Sequence, residues 1–238
     1  MSSDPTYVQE QYATEAGLAA RKAVYTEVTG PDPRDMIFDA MAAVAPGSVL
    51  EVGCGEGELA ERMHLELDAE VVASDQSERM VELTRARGVD ARVADVRELP
   101  FASGSFDVAV AAWVLFHVAE LDLALAELAR VLRPGGKLVA VTNWSDHLQE
   151  MWALSGLEGV FADLPFRGET GAAALERHFA RVETHDASGT VTFCDAEQIR
   201  SYLRSSARLA EGADRVPELA EPLVARRRPV VFIAEKAA

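Results

Sequence analysis

The sequence predicts an α/β fold, a mostly parallel sheet with helices on both faces, and three observations carry that expectation. Short apolar runs rich in Val and Ala alternate with amphipathic stretches along most of the chain, the pattern of parallel strands linked by crossover helices. The stretch SVLEVGCGEGELAERM, Ser48 to Met63, places Gly53, Gly55 and Gly57 between an apolar run and a helix-like pattern. Further on, Arg133-Pro134-Gly135-Gly136 ends a helical pattern and precedes another apolar run, a stop signal followed by a turn. A length of 238 residues suits one large domain with a well-buried core.

Taken in order, Val49–Val52, Val71–Ser74, Ala91–Ala94, Phe106–Ala111 and Leu138–Thr142 read as strands, with helices near Glu58–Glu66, Glu78–Arg87 and Leu121–Leu132 between them. After Thr142 the rhythm breaks. Residues 143–170 carry Trp144, Trp152, Phe161 and Phe166 among loop signals and read as an acceptor-side insertion at the carboxyl end of a strand, the edge where open α/β sheets bind ligands. Ala173–Phe179 then reads as a helix, Val182–Phe193 as strand with a turn at Ser188-Gly189, Asp195–Ser206 as a helix capped by Asp195, and Val230–Glu235 as the last strand. The first 45 residues look helical and precede the sheet.

Bulk properties exclude several classes. Hydrophobic residues make up 49% and charged residues 26%, and the longest apolar run, Val108–Phe116, is far below a membrane span. The opening MSSDPTYVQE has no apolar signal core, so a cytoplasmic location is expected. A formal charge of −16 makes the surface a poor partner for nucleic acid, whose binding rests on Lys and Arg neutralising phosphates. The one basic run, Arg226–Arg228, reads as a solvated turn. Cys54 and Cys194 give neither a disulfide framework nor metal-ligand spacing, so no metal is expected.

The glycine turn decides which ligand is held. A dinucleotide fingerprint needs a third small residue under the pyrophosphate, and Glu58 stands there. Glu51 ends the first strand, Asp75 follows the second and Asp95 the third. Three carboxylates on neighbouring strand ends disfavour a phosphate dianion and suit a net-cationic ligand with sugar hydroxyls and an exocyclic amine.

At this point the chain resembles a known family, the class I S-adenosylmethionine-dependent methyltransferases, and in particular its bacterial small-molecule branch. VLEVGCGEG, SDQSERM, ADVRELPFASGSFDVAVAAWVLFHV and LARVLRPGGKLVAVT are similar to its motifs in order. The resemblance implies a Rossmann-like seven-stranded sheet with an antiparallel last strand, and S-adenosylmethionine as cofactor. It also implies roles residue by residue. Gly53 and Gly55 let the backbone approach the methionine part. Glu51 holds its ammonium, Asp75 with Gln76 beside it takes the ribose hydroxyls, Asp95 and the Val96 amide meet the adenine, and the Ala111 backbone lies at the methionine group. Cys54 is a small residue fitting the turn, Trp113 lines the cofactor or packs beneath it, and His117 orients or starts a helix.

Methyl transfer needs proximity, alignment and exclusion of water, and a base only where the acceptor must lose a proton. His147, just past the fifth strand, is the expected base, with a surface histidine as the alternative; Asp146 reads as an N-cap. The sequence lacks the Asn/Asp-Pro-Pro-Tyr/Phe motif of nucleobase amine methylation after strand four, where it reads Val110-Ala111-Ala112-Trp113, so a small organic acceptor with oxygen or nitrogen as nucleophile is expected. A macromolecular methyltransferase acting on protein or tRNA and a non-catalytic cofactor-binding regulator are the alternatives, with a nicotinamide oxidoreductase last. Tyr7, Tyr12 and Tyr25 on a helix-like segment mark residues 1–45 as a helical lid within a single domain 1–238, with Tyr12 reaching the cofactor; a monomer or homodimer without membrane partners is expected.

Overall fold

The computed structural model describes residues 27–206 and 208–238. Parallel strands β1 (Ser48–Val52), β2 (Glu70–Asp75), β3 (Asp90–Val93), β4 (Phe106–Ala112) and β5 (Leu132–Asn143) join β6 (Arg181–Asp186) and β9 (Pro229–Glu235) in a seven-stranded sheet of order β3-β2-β1-β4-β5-β9-β6. β9 runs antiparallel to both β5 and β6. The expected architecture is therefore the observed one, with the switch in strand order between β1 and β4. Ligands of open α/β sheets bind at the carboxyl ends of strands beside such a switch.

All of β1 is buried, as a strand covered on both faces must be. Alternate residues feed two cores. Leu50, Val52, Ala109, Ala111, Leu138, Ala140 and Phe232 pack on one face, and Val49, Val108, Val110, Val139, Val141 and Val231 on the other. The second face is covered by α1 (Pro33–Ala42), α2 (Glu58–Glu66) and α3 (Glu78–Ala86), through Ile37, Met41, Leu59, Met63 and Val81. The first is covered by α4 (Leu121–Val131), α5 (Gln149–Ser155), α6 (Gly168–Leu175) and α7 (Ala196–Arg204), through Leu125, Leu128, Trp152, Leu175 and Ile199. Asp195 caps α7 as expected, its carboxylate accepting from the Gln198 N–H at 2.9 Å.

Several expectations are corrected. Residues 182–193 are not one hairpin in one sheet: β6 stays in the main sheet, whereas β7 (Gly189–Phe193) pairs with β8 (Leu223–Arg227) in a second sheet. The chain before α1 extends that second sheet, with Val28 bridging to Val191. Residues 33–42, placed in the expected lid, form a helix whose Ile37 and Met41 are wholly buried, so this part is core; residues 1–26, with Tyr7, Tyr12 and Tyr25, lie outside the described residues. Nor is Arg226–Arg228 a solvated turn. Arg226 pairs with Glu150 at 2.9 Å, Arg228 lies over the Trp144 ring, and buried Arg227 donates to the Thr29 and Pro31 carbonyls at 3.1 and 2.9 Å.

Arg227 thus ties the chain entering α1 to the second sheet with two charge-assisted hydrogen bonds. Replacing it by Ala is expected to destabilise the fold by about 1.5–3 kcal/mol, the range for bonds to a charged group. Urea unfolding checks this, and an unchanged midpoint refutes the tie.

Candidate functional site

At the carboxyl edge of β1, β2, β3 and β4 lies a cavity of about 240 Å³, lined among others by Glu51, Gly53, Gly55, Asp75, Asp95 and Trp113. The glycine turn forms its floor. Gly53 has φ +69°, and a Cβ there would stand 2.4 Å from a Val114 methyl, so the turn and the β4 loop can meet only at a glycine. Gly57 has φ +78° and packs on Thr84 of α3, where a Cβ would come within 2.6 Å of the hydroxyl. The close packing that a third small residue gives a dinucleotide turn is supplied here one position earlier, by Gly57 itself.

Each strand-end acid has a different set of partners. Glu51 is buried, its Oε2 has no hydrogen-bond partner, and burial, with repulsion from Asp75 and some relief from Arg34, pushes its pKa up to about 8. Asp75 accepts from the Gly55 N–H at 3.0 Å and the Ser77 N–H at 2.9 Å. Its pKa is nevertheless raised, because burial outweighs those bonds. Asp95 is held by its neighbour, accepting from the Arg97 backbone N–H at 2.9 Å and from its guanidinium at 2.7–3.1 Å. That pairing holds Asp95 below the usual carboxylate range.

Of the other expected positions, Gln76 and Val96 also line the cavity. Ala111 is wholly buried in β4, which runs one residue further, so Ala112, Trp113 and Val114 form the wall instead. Trp113 adopts φ +54°, an uncommon conformation for a bulky residue, while its N–H donates to the Val141 carbonyl at 2.9 Å. Its ring faces the cavity beneath the Arg34 guanidinium, 5.3 Å from the ring centroid. Arg34 is a lining residue that sequence reasoning missed. It sits in the first turn of α1 behind Pro33, and an Arg seventeen residues before a strand-end acid carries no local signal.

His147 is corrected. It is 4% exposed and is not among the residues that line the cavity, and its Nδ1 accepts the Arg228 backbone N–H at 2.8 Å. Burial and the nearby Arg227 charge press its pKa down to about 3, so the ring is neutral and bound within the fold, where the sequence led one to expect an exposed, titrating base. The histidine on the cavity wall is His117, in the 3-10 turn Leu115–His117 with its ring against Phe116. Asp146 places its carboxylate 3.5 Å from Arg228 instead of capping α5. Cys54 shares a hydrogen bond with Thr84, and burial pushes its pKa up to about 12, which leaves an unreactive thiol in the turn. Among the described residues no cluster of His, Cys, Asp and Glu could hold a metal, and no helix is long and apolar enough to cross a membrane.

Comparison with known proteins places this geometry. Residues 50–140 match the family model described as a methyltransferase domain. The 27-O-demethylrifamycin SV methyltransferase of Amycolatopsis mediterranei is 31% identical over 198 residues, 78% of this chain and 64% of that protein. The O-methyltransferase cnsE of Penicillium expansum is 37% identical over 107 residues, 42% of this chain and 39% of that protein. This chain spans less than two thirds of the length of either curated relative. In fold, the YcgJ protein of Bacillus subtilis superposes with a TM-score of 0.64 at 15% identity, over 87% of this chain and 98% of that one.

The pKa of His147 has a consequence for stability. A histidine depressed from 6.5 to about 3 leaves the unfolded chain binding more protons between those values, so its contribution to stability is full above pH 6.5 and is lost as pH falls. Glu51, raised to about 8, acts oppositely between its unfolded value and pH 8, and masks part of the effect in the native protein. Between pH 6 and 4, the stability difference between native protein and His147→Gln is expected to narrow by about 1.4 kcal/mol per pH unit. Urea midpoints across that range check it; a constant difference refutes a buried neutral imidazole.

Proposed function

We propose that this chain, which belongs to the class I S-adenosylmethionine-dependent methyltransferases, binds S-adenosylmethionine in the glycine-walled cavity and transfers its methyl group to a small organic acceptor through oxygen. The observation that carries this reading is Glu51, a buried carboxylate lining the cavity with one oxygen unpartnered. An orphaned buried acid is costly, and a ligand ammonium in the cavity relieves the cost. Arg34 lines the same cavity and partly offsets the burial of Glu51, so one wall offers an anion and a cation, the complement of an amino-acid zwitterion. Asp75 keeps lone pairs beyond its two backbone bonds for ribose hydroxyls.

When bound, S-adenosylmethionine supplies a methyl carbon activated by a sulfonium. The chain contributes position: the Gly53–Gly57 backbone, Glu51 and Arg34 at one end, Asp95 at the other, and the Trp113 and Val114 wall at the end of β4, next to β5 and the insertion that follows it. Of the oxygen and nitrogen acceptors expected, oxygen is the one supported by the two curated relatives named for O-methyl transfer. An acceptor hydroxyl must lose a proton, and His117, on the cavity wall, replaces His147 as the group to test for that role. The charge of −16 favours a small acceptor over RNA. Transfer of labelled methyl from S-adenosylmethionine into fractions of a cell extract tests the activity itself.

Cofactor affinity carries a pH signature. Below pH 8 the Glu51 carboxyl is largely protonated in the free protein, and an ammonium partner favours its ionised form. Affinity for S-adenosylhomocysteine is therefore expected to rise between pH 6 and 8 by up to about tenfold per unit, with release of up to about one proton. Glu51→Gln is expected to flatten that rise and to weaken binding by about 1.5–3 kcal/mol at pH 8. Calorimetry in buffers of differing ionisation heat measures both, and pH-independent binding without proton release rules Glu51 out as the ammonium partner.

A further inference from the structure

Arg97 lines the cavity and joins an acid after β3 to one at the start of α4. It follows β3, and its Nε and Nη2 fork onto both oxygens of Asp95, while its Nη1 donates to Glu120 at 2.5 Å. Glu120 precedes α4, next to His117, Val118 and Ala119 of the opposite wall. The three side chains form a chain of ion pairs, with Arg97 in the middle and Glu120 the most exposed.

This arrangement sets Asp95 apart from its two neighbours. Glu51 has an orphaned oxygen, Asp75 has backbone N–H partners, and Asp95 has an Arg. The cavity therefore runs from an uncompensated acid at β1 to a neutralised one at β3. A carboxylate whose charge is cancelled no longer selects cations, but it still accepts hydrogen bonds. With both oxygens held by Arg97, the acceptor capacity left on the carboxylate is fixed in direction. Such an acceptor reads a neutral amine and rejects a carbonyl in the same place, since two acceptors would then face each other without a proton between them.

We propose that Arg97 is a positioning residue that acts through Asp95: anchored by Glu120, it fixes and neutralises the Asp95 carboxylate so that this end of the cavity selects an amino-bearing purine over its oxo counterpart. The proposal rests on the cofactor reading above and adds to it a source for base discrimination. A residue that merely holds the loop would change affinity for both bases alike. One that aims Asp95 changes their ratio.

The test compares binding of S-adenosylhomocysteine and S-inosylhomocysteine, identical except for amine or carbonyl at the purine 6-position, to the native protein, Arg97→Met, Arg97→Lys and Glu120→Gln. The native protein is expected to prefer the adenosyl ligand by about a hundredfold. Arg97→Met is expected to lose about tenfold of that preference. Arg97→Lys, which keeps the charge but not the fork, should recover part of it, and Glu120→Gln should lose about threefold. An Arg97→Met protein that folds as the native one does and keeps the native ratio overturns the positioning role while leaving the cofactor reading intact. A native protein that binds neither ligand overturns the cofactor reading and this proposal with it, whereas one that binds both equally overturns this proposal alone. Should Arg97→Met fold poorly, Glu120→Gln reads the same ratio without removing the fork, and an unchanged ratio there refutes the anchoring.

Discussion

The rest of the site depends on one constraint, the burial of the Glu51 carboxyl at the end of the central strand. β1 is covered on both faces, so a residue at its carboxyl end has neither solvent nor a free strand edge to turn to. The glycine turn then passes over it with backbone N–H groups committed elsewhere: those of Gly53 and Cys54 go to the Ser74 carbonyl at 2.7 and 3.0 Å, and that of Gly55 goes to Asp75. Glu51 is left with a cavity in front of it and a pKa near 8. A fold that only had to be stable would place an apolar side chain there. The acid makes sense as half of an interaction whose other half arrives with a ligand.

From that point the remaining charges fall into sequence. Asp75 is a structural strut as well as a lining residue, because the bond to Gly55 holds the turn against β2 at the same time as it orients the carboxylate. Asp95 is insulated by Arg97. A second positive charge enters where α1 brings Arg34 over Trp113, and that approach exists because Ile37 and Met41 pack the helix onto β5 and β9. The helix read from sequence as part of a lid therefore does a scaffold's work: it carries a cation to the cavity wall from the face of the sheet.

Legibility in the sequence followed the range of the interactions. Strands β1 to β5, the helices between them and β9 were readable because each is set by local periodicity and turn chemistry, as at Gly53–Gly57, although the turn expected at Arg133–Gly136 lies inside β5, which starts at Leu132 and not at Leu138. The positions Glu51, Asp75, Gln76, Asp95 and Val96 were readable because parallel strands end at one edge, so any strand-end acid is brought there by topology alone. Arg34 was not, since its place depends on the docking of a helix, and neither was Arg97, whose meaning lies in a partner, Glu120, on another element. The second sheet was missed for the same reason. Nothing local in Leu223–Arg227 says strand, and the Ser188-Gly189 turn gives no sign that the chain changes sheets there.

The misreading of His147 has the most specific cause. A histidine just after a strand that ends at the ligand edge looks exposed and titratable, provided the following segment is solvent. Here β8 returns over it: the Leu148 N–H donates to the Arg226 carbonyl at 2.8 Å, and the Arg228 N–H donates to the His147 ring. Nearby, the Trp152 indole donates to the His147 carbonyl at 2.7 Å. The imidazole thus serves as a backbone acceptor that stitches the insertion to the second sheet. The basic run Arg226–Arg228, which sequence assigns to solvent, completes the same seam, with each arginine bound to a different part of it: α5, the chain entering α1, and Trp144. The segment after β5 is consequently held by polar bonds of His147, Leu148 and Glu150 to the chain at and just after β8, bonds that involve no residue of the glycine turn.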